Sequence, residues 1–163
     1  MEIGDNWKLI QRVFSESKIS SRHFAVATVN QDGTPNVAPI GALFLRDDKT
    51  GFFFDEYTVN TSKNIDRNSR VCILASISNA AFWQKALVMG EFEIPPAVRL
   101  MGSAGKKREG TEEEIAMWYD HIKEAKGTKG YDLMWENIQT VRDIYFDFFE
   151  PVRAGEMTQD LWK

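Results

Sequence analysis

Between Asn36 and Leu45 the chain reads Asn-Val-Ala-Pro-Ile-Gly-Ala-Leu-Phe-Leu, a strand by composition with Pro39 and Gly41 set inside it. Proline donates no hydrogen bond to a ladder and glycine packs no side chain, so this run is awkward as a central strand. Its neighbours are more regular. Residues 24–30, Phe-Ala-Val-Ala-Thr-Val-Asn, are β-branched and apolar on both faces, as expected of a well-covered strand. Asp32-Gly33, between the two runs, supplies the dihedral angles of a tight hairpin. After a turn at 46–51, Phe52–Asp55 makes a third strand, and the three are expected to form an antiparallel meander.

The flanks add helices and further strands. Residues 5–18 carry Trp7, Ile10, Val13 and Phe14 at helical spacing, with Asp5 as the expected cap. Residues 56–69 are polar and read as a loop entering a short helix, and Arg70–Ile77 returns to strand. Ala86–Ile94 reads as a strand broken by Gly90 and closed by Pro95-Pro96, followed by a Gly/Lys-rich loop over 101–110. Thr111-Glu-Glu-Glu has the form of a capping box and opens a helix to about Lys126, ended by Gly127 and Gly130. A short helix over 131–139 and a last strand over 142–150, stopped by Pro151, complete the chain. The expected fold is mainly β: an antiparallel β-barrel with helices at its rim and ends. It is read as one domain over 1–163, with a core at about 20–150 and a helical insertion at about 100–139.

A net charge of −4 and the lack of a basic face argue against nucleic acid as a partner. The single cysteine, Cys72, lies in an apolar run and excludes an internal disulfide; a buried, inert thiol is expected. No signal peptide or membrane-span pattern is visible, so a cytoplasmic protein is expected. His23 and His121 have no ligand-spaced partner, and no metal is expected. Glu112, Glu113 and Glu114 fall in the first turn of a helix, where they complement its dipole. Trp162, beside the C-terminus, is expected to dock on a partner subunit.

Asn60-Thr-Ser-Lys-Asn-Ile-Asp-Arg67 concentrates hydroxyls, an amide and a cation at the start of a helix. Free amides there carry partial positive charge and suit a phosphate, although the same residues also serve as simple caps.

The order of these elements, with Pro39-Ile-Gly41 in the second strand, Thr61-Ser-Lys-Asn64 after the third and Arg67-Asn-Ser-Arg-Val71 beyond, resembles the FMN-binding split-barrel family that includes the pyridoxamine-phosphate oxidases. The resemblance covers roughly residues 20–95. It implies a split β-barrel with FMN as cofactor. Ala38, Pro39, Ile40 and Gly41 would line the isoalloxazine ring, and Thr61, Ser62, Lys63 and Asn64 would take the phosphate. Trp83 and Gln84, entering the fifth strand, would meet the ring's other edge. It also implies a homodimer with flavin sites at the subunit interface, working as a flavin-dependent oxidoreductase on a small molecule or a redox protein. The alternatives are a non-catalytic electron-transfer module, or a split barrel that uses deazaflavin or haem. The second strand lacks the additional arginines and lysines of the oxidases proper, which argues against pyridoxamine phosphate as substrate.

Overall fold

Gly41 and Ala42 carry the chain from one edge of its sheet to the other. The structure is a computed structural model and describes residues 1–162. Its strands are β1 (Phe24–Val29), β2 (Pro35–Ile40), β3 (Leu43–Leu45), β4 (Thr50–Phe54), β5 (Arg70–Ser76), β6 (Ala97–Ala104), β7 (Arg108–Glu109) and β8 (Thr140–Pro151). All pair antiparallel, in the order β2-β1-β5-β6-β8-β4-β3, with β7 added on β8. Two residues separate β2 from β3, yet these strands are the two ends of that order. A sheet whose edges are tied by so short a link must curl until the edges approach, which makes a barrel split along one seam.

The run 36–45 is therefore two strands on opposite edges, and the expected meander is corrected. β1–β2 and β3–β4 are hairpins, but β1 continues the sheet through β5 and β4 through β8. Pro39, with no N–H, is tolerated because β2 has one neighbour only. At Gly41 a Cβ would lie 3.0 Å from the Arg22 carbonyl oxygen, so the turn between edges presses on the end of the first helix. The Asp32-Gly33 hairpin forms as expected: Gly33 has φ 85° and Asp32 Oδ1 accepts from the Thr34 amide at 3.0 Å.

Five helices surround the sheet: α1 (Trp7–Ser21), α2 (Val59–Arg67), α3 (Ala80–Met89), α4 (Glu112–His121) and α5 (Lys129–Met134). Trp7, Ile10, Val13 and Phe14 of α1 pack into the barrel against Phe24, Ile73, Leu100 and Phe149. Each such side chain contributes about 1.5–3 kcal/mol when fully buried. A second cluster joins Phe52, Phe54 and Val141 of the sheet to Trp118 and Ile122 of the α4 segment and to Ile138. β4 is thus covered on both faces, Phe53 facing the first cluster and its neighbours Phe52 and Phe54 the second.

Several expectations are corrected. Ala80–Met89 is a helix, where a strand was expected to begin at Ala86. Asn79 accepts from the amides of Ala81 and Phe82, Gly90 closes the helix at φ 76°, and Ala, Gln, Lys, Leu and Met between them favour helix over strand. The strand comes later, as β6, which takes in the first part of the loop expected over 101–110. The Thr111–Glu114 capping box is present, but α4 stops at His121 and Gly130 lies inside α5. Asp5 does not cap α1; Asn6 occupies that position, with no side-chain cap hydrogen bond, its side-chain amide donating back to the Glu2 carbonyl. Trp162 is buried against Phe149 of its own chain, ring centroids 4.9 Å apart. Among the described residues no helix is long and apolar enough to cross a membrane.

Candidate functional site

A cleft of about 850 Å³ opens at the turn between the sheet's edges. Its floor is Pro39–Ala42, and Phe54 at the end of β4 stands beside it. Thr58, which precedes α2, lies on its rim with Glu56 and Tyr57. One wall is the last two turns of α1, where Ser15, Lys18, Ile19 and Arg22 follow the i, i+3, i+4, i+7 spacing of a single helix face. The opposite wall comes from the inserted segment: Trp118, His121 and Ile122 around α4, then Trp135 and Ile138. The volume, and an aromatic wall facing charged and polar side chains, are those of a small-molecule site.

The start of α2 is set by an ion-pair network in the barrel. Arg142 of β8 is fully buried; its Nε donates to Asp55 Oδ2 at 2.5 Å and its Nη2 to Asp66 Oδ1 at 2.8 Å and Ser62 Oγ at 3.0 Å. Burial pushes the Asp55 carboxyl up, but hydrogen bonds from Thr58, Arg142 and Ser62 outweigh it and hold the group below its ordinary range. On the other side of α2, Asn36 Nδ2 donates to Thr61 Oγ1 and to Thr28 Oγ1, each at 3.1 Å. Asn64 Nδ2 donates to Thr28 Oγ1 at 3.1 Å and Asn30 Oδ1 at 2.9 Å. Thr58 donates its hydroxyl to Asp55 and no side chain caps α2; the Val59 amide bonds the Tyr57 carbonyl, which leaves the Asn60 and Thr61 amides to solvent or to a ligand.

Two cations of α1 face His121 of α4 across the cleft. Lys18 Nζ donates to the Leu43 carbonyl at 3.1 Å and sits 3.5 Å from the centroid of the Phe44 ring; burial lowers its pKa to about 8. Arg22 holds a left-handed φ of 62°, and its guanidinium makes no hydrogen bond or ion pair among the described residues. His121 is lowered by burial first and then by the charges of Lys18 and Arg22, which keeps it neutral near pH 7. Of the facing acids, Glu56 is engaged by the Gln139 and Thr140 amides.

The residues named from sequence are divided by this geometry. Pro39, Ile40 and Gly41 line the cleft, whereas Ala38 does not. Thr61, Ser62 and Asn64 are buried, with their side chains tied to Asn36, Arg142, Thr28 and Asn30. Lys63 is exposed and has no partner among the described residues. Trp83 and Gln84 lie on α3, away from the cleft lining, and the Trp83 indole donates to the Ile77 carbonyl at 2.7 Å. Sequence reasoning overlooked Arg142, Lys18, Arg22 and the aromatic wall. For the α1 cations the i, i+4 spacing of Lys18 and Arg22 was the available signal; for Arg142 the sequence offers none, since Asp143, Asp147 and Glu150 make charge ordinary along that strand.

No curated protein matches the chain. Solved structures do: Group A Streptococcus HupZ is 19% identical, with 91% of this chain and 94% of that one aligned at a TM-score of 0.57. An FMN-binding protein from Syntrophomonas wolfei is 14% identical, covering 91% and 88%, at 0.60. An F420 reductase is 15% identical, covering 92% and 98%, at 0.55. Identities this low speak to the fold, and all three share the curled antiparallel sheet. The family model for pyridoxamine 5'-phosphate oxidase matches residues 11–145, most of the barrel and the inserted helices, and the chain belongs to that family.

Proposed function

We propose that this protein binds FMN in the cleft and acts as a flavin-dependent oxidoreductase. The observation that supports the reading is that one cleft runs from the Pro39–Gly41 edge to Thr58, the residue that precedes α2 and leaves it without a side-chain cap. The residues present fit the cofactor. β2 has a single neighbour, so half of its backbone polar groups face away from β1 and are available to the polar edge of a ring. Ile40 and Phe54 supply apolar surface for a planar group beside that edge. The first-turn amides of α2, with Lys63 alongside, suit its phosphate. When bound, the flavin supplies hydride or electron transfer; the chain binds, orients and shields it.

A homodimer with the flavin sites at the subunit boundary agrees with the uncovered apolar surface. Val37 on β2 is 63% exposed, and Leu87, Val88 and Met89 at the end of α3 are between 62% and 80% exposed. The fold neighbour that is an F420 reductase gives a second reading, in which a deazaflavin takes the same place.

Titration with FMN and with riboflavin, followed by flavin fluorescence, tests the proposal. FMN is expected to bind at least about tenfold tighter than riboflavin, the scale of one charge-assisted hydrogen bond to the phosphate. Equal affinity removes the α2 site from the account, and no binding of either ligand removes FMN altogether. Parallel titration with F420 separates the second reading.

A further inference from the structure

The α1 wall of the cleft holds two positive charges that no carboxylate among the described residues pairs. Arg22 and Lys18 are one helical turn apart and both line the cleft, and neither has a carboxylate partner among the described residues. Lys18 is held by the Leu43 carbonyl and the Phe44 ring, while the exposed Arg22 guanidinium bonds no protein group among the described residues. Favourable interaction with the C-terminal end of α1 explains why cations are tolerated there, but not why both turn toward a cavity. Across the cleft, the indole N–H of Trp118 is buried with no acceptor, although buried donors are ordinarily paired. The site therefore offers planar and point-charge donors on one side, an unsatisfied donor on the other, and aromatic surface between them.

We propose that this end of the cleft is a substrate subsite for a small planar or aromatic carboxylate, its charge held by Arg22 and Lys18 and its apolar body lying against Trp118 and Trp135. A monoanion suits the site better than a phosphate dianion, because Glu56 and Glu124 also line the cleft and offset part of the positive charge. Arg22 stands where such a group would be useful. The 3.0 Å approach of its carbonyl to the Gly41 Cβ position ties it to the strand against which the ring is proposed to lie. The inference names the substrate class of the proposed flavin site and rests on that reading for its catalytic meaning, but the subsite belongs to the chain itself.

The test uses 1-naphthoate and its neutral amide, 1-naphthamide, titrated by calorimetry into the protein with and without FMN. The carboxylate is expected to bind at least about tenfold tighter than the amide, on the scale of charge-assisted pairing. Arg22→Asn removes the charge and keeps a residue type that tolerates the left-handed backbone; it is expected to erase most of that preference. Lys18→Met provides an independent second variant with the same expected direction. Equal binding of acid and amide, or an Arg22→Asn protein that retains the full preference, overturns the proposal. Because the titration is also run without FMN, failure of the protein to take up flavin leaves this result readable on its own.

Discussion

Arg142→Met is the substitution whose consequence the structure defines most fully. The side chain is fully buried and donates to Asp55, Asp66, Ser62 and the Gly105 carbonyl, at distances between 2.5 and 3.0 Å. Methionine fills much of the same space but leaves the Asp55 carboxylate buried without its principal cation. Breaking a buried pair in this way costs about 3–5 kcal/mol, far more than the pair contributes against an apolar replacement. Lys107 Nζ, 3.6 Å from Asp55, is placed to recover part of the loss, so about 3 kcal/mol is the better expectation. For a chain of this size that lowers Tm by roughly 6–12 °C. Urea unfolding should show a lower midpoint at unchanged m, since the change in exposed surface is small. Replacing Asp55 by Asn in the same protein should restore part of the stability, because the stranded charge is removed as well. The same variant should bind FMN more weakly, for Arg142 fixes the first turn of α2 through Ser62 and Asp66. A midpoint indistinguishable from wild type, within about 0.5 kcal/mol, would refute the claim that this network holds the helix.

Two further outcomes follow from other parts of the molecule. Lys63→Ala should reduce FMN affinity by about 1.5–3 kcal/mol with little effect on unfolding, whereas Thr61→Ala, which removes the acceptor of the Asn36 bond, should lower stability; flavin titration and urea melts on both variants separate the two. The cluster in which Arg46 and Arg108 bind Glu114 and Asp143 sets an acid limit: hydrogen bonds from Arg108 lead in lowering Glu114 from 4.5 to about 2 and Asp143 from 3.8 to about 2. Folded values below unfolded ones mean that this stabilisation is complete above about pH 4.5 and is lost as the pH falls toward 2. Arg108→Gln should therefore flatten the fall in stability over that window, as read by urea midpoints at successive pH values.

What the sequence disclosed depended on how local the determinant was. The Asp32-Gly33 hairpin and the Thr111–Glu114 capping box are written in four residues each, and both form as read. β1 and β5 were legible from apolar and β-branched runs, and β8 from its aromatic residues stopped by Pro151. The stretch from Ala80 to Ile94 misled because its apolar residues are exposed at the end of a helix, so neither a helical nor an alternating burial pattern marked it. Pro39 and Gly41 were visible as anomalies, but the fact that they divide a strand between opposite edges depends on the pairing of β4 with β8, which only tertiary structure determines. The hydroxyls at Thr61 and Ser62 were visible too, while their engagement depends on Asn36 and on Arg142, which is 80 residues from Ser62 in sequence. The cleft wall from Trp118 to Ile138 was unreadable for the same reason: nothing local says which face of α4 meets β4.

The claim on which the account turns is that one cleft receives a ring along Pro39–Gly41 and a phosphate at the start of α2. A crystal structure of the protein grown with FMN measures both at once. The account predicts the ring against the β2 edge, with phosphate oxygens within hydrogen-bond reach of the Asn60 and Thr61 amides and the Lys63 ammonium. FMN bound on another face, or seated in the cleft with its phosphate turned toward Lys18 and Arg22, would contradict it.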